Sequence, residues 1–402
     1  MRILYVTPAY KPADRMGGPV PVVAAIAELL ARKGHDVRVV TTNANLDLDV
    51  DVPLDGPVDV DGVTVRYFRR EEPLRKWLPF VPYLSHSMGY AYAPDMKAGL
   101  KTLVPWADVV HTHMPFVYPT YAAARAAKRF GKPLVYHQHG NYLDVRLARR
   151  RLKKSAYIAL FEKPIMRRAA ALVALTTAER DAFAVLSPGT PCEVIPNGVD
   201  IPPPIEGAAV RIEERLGIPR DAQVVLFLGR LQTWKGAGET LEAFVRIESK
   251  HPKAWLVMAG PDEVGLAEAW RAGHAGESHR IVFPGVVSGQ EKDDLLDRAA
   301  LFVLPSLAEG LSMATLEAMA HRTAILMSPG CNLPEAEEAG AAVIVEKDAG
   351  AVGAAMSRLL DDRTTLTAMG EAGRRFVESG YSWDAVTDSL VDLYARVLAG
   401  RR

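Results

Sequence analysis

Glu309 and Glu317 frame the stretch LFVLPSLAEGLSMATLEAMA, and their setting suits chemistry on a phosphate-bearing ligand. Leu301 to Leu304 is a short apolar run of the kind that fills a strand buried on both faces. Pro305-Ser306 then signals a loop, and from about Ala314 the chain is rich in helix formers. A strand, a loop and a helix in that order present free backbone N–H groups and a positive dipole end to an anion, here at Leu311, Ser312, Met313 and Ala314. Gly310 stands where unusual dihedrals or close ligand approach would be needed. Even a fully helical path would hold the two acids roughly 12 Å apart, too far to share a proton or a metal. A ligand with hydroxyls at both ends and phosphates between them fits that separation. Either acid alone reads more simply as a solvated or helix-favouring charge; spacing and setting together favour the functional reading.

A second constellation follows the apolar run Val224 to Leu228, where Arg230 and Lys235 bracket a loop at a strand's carboxyl end. Two cations there can hold a diphosphate; elsewhere in the chain they would be ordinary surface charges. Gly236 and Gly238 do not extend to G-x-G-x-x-G because Leu241 fills the last position, which removes the best support for a nicotinamide site. In the first half, strand Ile3 to Val6, a helix with an apolar stripe and strand Asp36 to Val40 make the opening of a doubly wound parallel sheet. Gly17 and Gly18 at the start of that helix allow close approach of a phosphate or sugar, or simply make a turn. DVVHTH and LVYHQH end two further strands in histidines, so His113 and His139 are expected to face one cleft, with His111 and His137 on the opposite side. Thr176-x-x-Glu179 and Ser288-x-x-Glu291 have the capping-box pattern. The acids Asp47, Asp49, Asp51, Asp59 and Asp61 contain a D-x-D pattern, but their neighbours Pro53, Gly56 and Pro57 read as a solvated acidic loop.

Glu309-x7-Glu317 followed by Ala-Met-Ala, together with GRLQTWKG and PNGVD, resembles the retaining glycosyltransferases of family four. Leu311 and Ser312 depart from the Phe and Gly common in that family. The resemblance covers essentially the whole chain and implies the GT-B fold: two Rossmann-like, doubly wound α/β domains facing a central cleft. It implies an acceptor-binding domain at 1–197, a donor-binding domain at 198–380 and a last helix, 381–402, packing back on the first. Pro202 to Pro204 mark the linker. Residue by residue, the resemblance implies that Arg230 and Lys235 hold the leaving diphosphate, Glu309 the sugar hydroxyls and Glu317 the ribose. Gly17 and Gly18 would face the diphosphate, Val286 and Val287 would read the base through the main chain, and His139 would sit beside the sugar. His113, Asn141 and Tyr142 are assigned to the acceptor side. The implied reaction transfers a sugar from a nucleotide diphosphate sugar, UDP being the commonest carrier among relatives, to a hydroxyl acceptor such as a lipid-linked or surface-polysaccharide glycan. It proceeds with retention and without a cofactor or metal.

The chain has 402 residues, enough for two domains with their own cores. Zero net charge argues against bulk nucleic-acid binding. Two cysteines, Cys192 and Cys331, lack metal-ligand spacing. Arg2 followed by ILYVT reads as a first strand rather than a signal peptide, so a cytoplasmic protein, or one peripheral on the inner membrane face, is expected. Between Arg146 and Arg168 basic residues interleave with Leu147, Leu152, Ile158 and Leu160. Such a segment can lie on an anionic bilayer, bind a phosphate-bearing acceptor or be the solvated face of a domain helix; the basic, Trp-containing stretch Arg69 to Phe80 tilts towards the membrane. The competing readings are a nucleotide-sugar epimerase, a phosphorylase and a non-catalytic sugar-binding protein.

Overall fold

The computed structural model describes residues 1–16, 18–71, 90–140, 155, 157–274 and 280–400. Gly17, Asn141, Tyr142, the basic positions 146–154 and the stretch 72–80 lie outside the described residues. The chain divides into two compact units, Met1–Asn197 with Val386–Arg402, and Gly198–Ala385.

The first unit is built on β1 (Arg2–Val6), in which Ile3, Leu4, Tyr5 and Val6 are fully buried. On one side lie β2 (Asp36–Thr42), which a two-residue hairpin of β3 (Ala44–Asn45) and β4 (Leu48–Asp49) follows, and then the antiparallel pair β5 (Pro57–Val60) and β6 (Val63–Phe68). On the other side lie β7 (Val109–His113), β8 (Leu134–His137), β9 (Ala171–Ala174) and β10 (Cys192–Val194), each parallel to its neighbour. β2 and β7 flank β1, so the sheet changes direction of growth there, and ligands bind such sheets outside the carboxyl ends of the strands at that point. The expected acidic loop is in part a hairpin: Asp61 and Gly62, at φ 52 and 82, make a two-residue turn between β5 and β6. The acids around it have cationic partners. Asp61 meets Lys11 at 2.8 Å, Asp47 meets Arg15 at 3.0 Å and Asp49 pairs with Arg70.

The second unit has six parallel strands: β11 (Gln223–Leu228), β12 (Ala254–Ala259), β13 (Ile281–Gly285), β14 (Ala299–Leu304), β15 (Ala324–Met327) and β16 (Ala342–Ile344). Their order is β13-β12-β11-β14-β15-β16, which puts the switch point between β11 and β14. Those two strands carry the Arg230–Lys235 loop and the Glu309 loop. The proline-rich segment is anchored within this unit: Arg374, 8% exposed, donates to the carbonyl oxygens of Pro202 at 2.7 Å and Ala320 at 2.5 Å. Helix Gly289–Arg298 begins where Ser288 predicts, but Ser288 makes no side-chain cap and Glu291 pairs with Arg215 instead.

The last helix is Trp383–Ala399, so Tyr381 and Ser382 precede it, and the Ser382 hydroxyl accepts from the Ala385 N–H at 3.2 Å. Its fully buried Tyr394 meets the Tyr5 hydroxyl at 3.0 Å and His111 Nδ1 at 2.6 Å, tying the helix into the first unit. At the end of the basic segment Ile158, Ile165 and Met166 are buried while Leu160, Arg167 and Arg168 are exposed, so this described portion packs as a domain element. Among the described residues no helix is long and apolar enough to cross a membrane.

Candidate active site

In the second unit the loop after β14 is clamped by the loop after β11. Gly236, at φ +78, lies so close to Pro305 that a Cβ there would stand 2.3 Å from the Pro305 carbonyl oxygen. Only glycine tolerates both the left-handed backbone and that approach. Two residues earlier, the Trp234 carbonyl accepts from the Leu307 N–H at 2.7 Å and the Ser306 hydroxyl at 3.3 Å. The clamp brings Lys235 Nζ to both oxygens of Glu309, at 2.7 and 2.8 Å. Glu309 is 6% exposed, and its Oε1 also accepts from the Ser306 hydroxyl at 2.6 Å.

Three residues on, Ser312 caps helix Met313–Ala320, its hydroxyl accepting from the Thr315 N–H at 3.3 Å and from the Thr315 hydroxyl at 2.8 Å. Ser312 thus satisfies the third helical N–H and leaves those of Met313 and Ala314, which a helix start cannot pair internally, for an anion. Gly310 and Leu311 are buried beside them. Glu317 lies further into the helix, where Lys292 donates to it at 2.9 Å. Arg230 is half exposed and its guanidinium faces Glu263 at 3.2 Å. The structure therefore brings Lys235 and Glu309 into contact, while Arg230 and Glu317 each have a different partner. Val286 is 69% exposed at the carboxyl end of the edge strand β13, and Val287 is buried.

In the first unit Gly18 is exposed at the start of helix Pro19–Arg32, with open space around its α-carbon. His111 and His137, expected on the opposite side from His113 and His139, stack with them instead. Residues two apart on a strand share a face, so His111 and His113 lie together on β7, with ring centroids 4.3 Å apart. His137 stacks on His139 at 3.9 Å, and His113 Nδ1 meets His139 Nε2 at 3.0 Å. His139 has φ 55 and Gly140 φ 77, so the chain turns sharply just past β8. Buried Glu179 fastens that turn by accepting from the N–H groups of Gly140 at 2.9 Å and Leu175 at 2.7 Å. Half of the expected capping box is present, since Thr176 Oγ1 accepts from the Glu179 N–H at 3.3 Å, while the Glu179 carboxylate takes these other donors.

Burial holds His139 down to about 3 and His111, His113 and His137 well below the usual imidazole range, with neighbouring imidazoles adding to the effect in those three. The stack is neutral at pH 7. Ligand nitrogens of His111, His113 and His137 come within 4.8 Å of one another. Imidazole lone pairs lie in the ring plane, however, and the His111 ring lies at 28° and 18° to those of His113 and His137, which are tilted 45° from each other. That geometry favours ring stacking over convergence on one ion.

Sequence reasoning missed Ser306, Lys292, Glu263 and Glu179 as partners of the site residues. Ser306 had a local signal, its S-x-x-E spacing to Glu309; Lys292, Glu263 and Glu179 reach their partners across the fold.

Two doubly wound sheets, one with an acid and a cation joined at its switch point, define the GT-B architecture of sugar-transferring enzymes. Family models agree with both halves: a glycosyl transferase 4-like domain matches residues 17–198, and glycosyl transferases group 1 matches residues 210–376. The chain belongs to the GT-B glycosyltransferases of family four. It is 27% identical over 404 residues to the D-inositol 3-phosphate glycosyltransferase of Acidothermus cellulolyticus, covering 96% of this chain and 87% of that protein. Sucrose-phosphate synthase from Thermosynechococcus elongatus shares the fold with a TM-score of 0.70 at 20% identity, with 100% of each chain covered. Anabaena Alr3699/HepE in complex with UDP does so with a TM-score of 0.73 at 16% identity, covering 98% of this chain and 100% of that one.

Proposed function

We propose that this glycosyltransferase moves a sugar from a nucleotide diphosphate sugar, with uridine as the base, to a hydroxyl of a lipid-linked or surface-polysaccharide glycan. The observation that carries the reading is the contact of Lys235 with Glu309 at the β11/β14 switch point, immediately before the buried Gly310 and Leu311 that lead into a capped helix start. A cation and a helix start suit the diphosphate, and the adjoining carboxylate suits sugar hydroxyls. The solved relative that holds UDP supports the choice of base.

In the proposed reaction the bond from the anomeric carbon to the phosphate oxygen breaks, and its electron pair goes to the diphosphate. The acceptor oxygen bonds to the same carbon, and its proton passes to the departing phosphate oxygen. Lys235 and the N–H groups of Met313 and Ala314 meet the growing negative charge as fixed donors, so the step needs no metal. Attack from the leaving-group side retains the anomeric configuration. Arg230 joins them once its guanidinium leaves Glu263, and Glu317, oriented by Lys292, takes the ribose. The role of His139 beside the sugar rests on the family resemblance and on its place at the carboxyl end of β8. Membrane association through the basic segment is supported by the exposed Arg167 and Arg168.

The test is a screen of UDP-, GDP- and ADP-sugars for free nucleotide, with and without lipid-linked acceptors. The reading expects UDP release that depends on the acceptor. Conversion of a donor to its isomer without release would favour the epimerase, and binding without turnover of any donor would favour a sugar-binding protein.

A further inference from the structure

The loop after β15, Ser328 to Asn332, carries none of the residues assigned above, yet it holds the Glu309 loop at three points. The Glu309 N–H donates to the Gly330 carbonyl at 2.8 Å, and the Asn332 side-chain amide donates to the Glu309 carbonyl at 2.6 Å. The Ser328 hydroxyl donates to the Ser306 carbonyl at 2.5 Å. At Gly330 the two loops touch so closely that a Cβ would lie 2.2 Å from the Ser306 carbonyl oxygen. Both backbone polar groups of Glu309 are thus bonded to this one loop, while Lys235 and Ser306 hold its carboxylate. Asn332 itself has φ 55, a left-handed conformation that asparagine and glycine adopt at little cost.

We propose that Asn332 is a positioning residue for sugar transfer, acting through the Glu309 carbonyl to set where the Glu309 carboxylate stands. Ser306 acts on the same carboxylate directly. The inference rests on the reading of Glu309 as the group that holds the sugar. A backbone tether of this kind fixes orientation, and a misplacement near 1 Å at a reacting centre costs about a hundredfold in rate.

The test compares Asn332→Gly, Asn332→Asp and Ser306→Ala with the wild type for kcat, KM of the donor, Kd of the free nucleotide and thermal melting. Glycine keeps the left-handed backbone and removes the amide; aspartate keeps the side-chain shape but cannot donate. Both are expected to lower kcat on the order of tenfold to a hundredfold, with nucleotide Kd changed less than about threefold and the melting curve retained. Ser306→Ala is expected to lower kcat in the same manner, and Ser306→Thr, which keeps the hydroxyl, to restore most of it. A folded Asn332→Gly enzyme with wild-type kcat would overturn the proposal, as would an equal loss of nucleotide affinity and kcat. Should the Asn332 variants fail to fold, a Ser306→Ala enzyme with unchanged kcat would overturn the view that these bonds position Glu309. A wild-type protein that turns over no donor would instead contradict the proposed function, which separates the two failures.

Discussion

Lys235 meets both oxygens of a carboxylate that is 6% exposed, so each charge is compensated mainly by the other and by Ser306. Lys235→Ala leaves Glu309 with one hydroxyl donor and is expected to cost roughly 1–3 kcal/mol of stability, measurable by urea denaturation. Arg230 differs, because its pair with Glu263 is half exposed on both sides. Such a pair contributes less than about 1 kcal/mol, so Glu263→Gln is expected to leave stability nearly unchanged. If Arg230 serves the diphosphate, the same substitution frees it, and UDP should bind about threefold more tightly, the equivalent of a weak surface ion pair; titration calorimetry reads this directly. Unchanged or weaker UDP binding would remove Arg230 from the leaving-group site.

The elements explain why these residues meet. β11 and β14 are neighbours, so their following loops touch, and Gly236 removes the side chain that would keep them apart. Gly236→Ala must push back the Pro305 carbonyl and hold a left-handed backbone, which is expected to cost about 1–3 kcal/mol and to lower turnover more than nucleotide affinity. In the first unit the four histidines are kept neutral by burial, and the linkage sign follows. Their folded-state affinities for protons lie below those of the unfolded chain, so protons favour unfolding. Stability conferred by the neutral stack is complete above the ordinary imidazole value near 6.5. It falls as pH drops from there towards about 3, the value for His139. Each histidine contributes a slope of up to ~1.4 kcal/mol per pH unit in that window. Urea midpoints measured from pH 7 to pH 5 should fall steeply, and His137→Gln should flatten the dependence.

Across the whole molecule, the sequence reveals what is encoded locally. The alternation of apolar runs and helical stripes gives parallel doubly wound sheets, and the strands that lead to Arg230, Lys235, Glu309 and His113 lie where it puts them, whereas β8 ends at His137 and His139 stands in the turn beyond it. Glu309-x7-Glu317 identifies a loop and the helix it enters, and Ser312 caps that helix although the family's glycine is missing. Contacts between distant segments were hidden. Nothing in the spacing of Asn332, Lys292 or Glu179 tells that they reach Glu309, Glu317 and Gly140, because those bonds depend on the order of strands in a sheet. The histidine stack differs from the expectation for a simpler reason: residues two apart on a strand share a face, so His111 belongs beside His113.

In the proposed reaction Lys235 serves the diphosphate and Glu309 the sugar, although the two side chains touch. UDP binding by calorimetry and UDP release from a UDP-sugar, measured side by side in Lys235→Ala and Glu309→Gln, separate these roles. Lys235→Ala is expected to lose both affinity and turnover, by orders of magnitude in the latter, whereas Glu309→Gln should bind UDP as the wild type does and transfer almost nothing. Full turnover in Glu309→Gln, or undiminished UDP affinity and turnover in Lys235→Ala, would contradict that assignment.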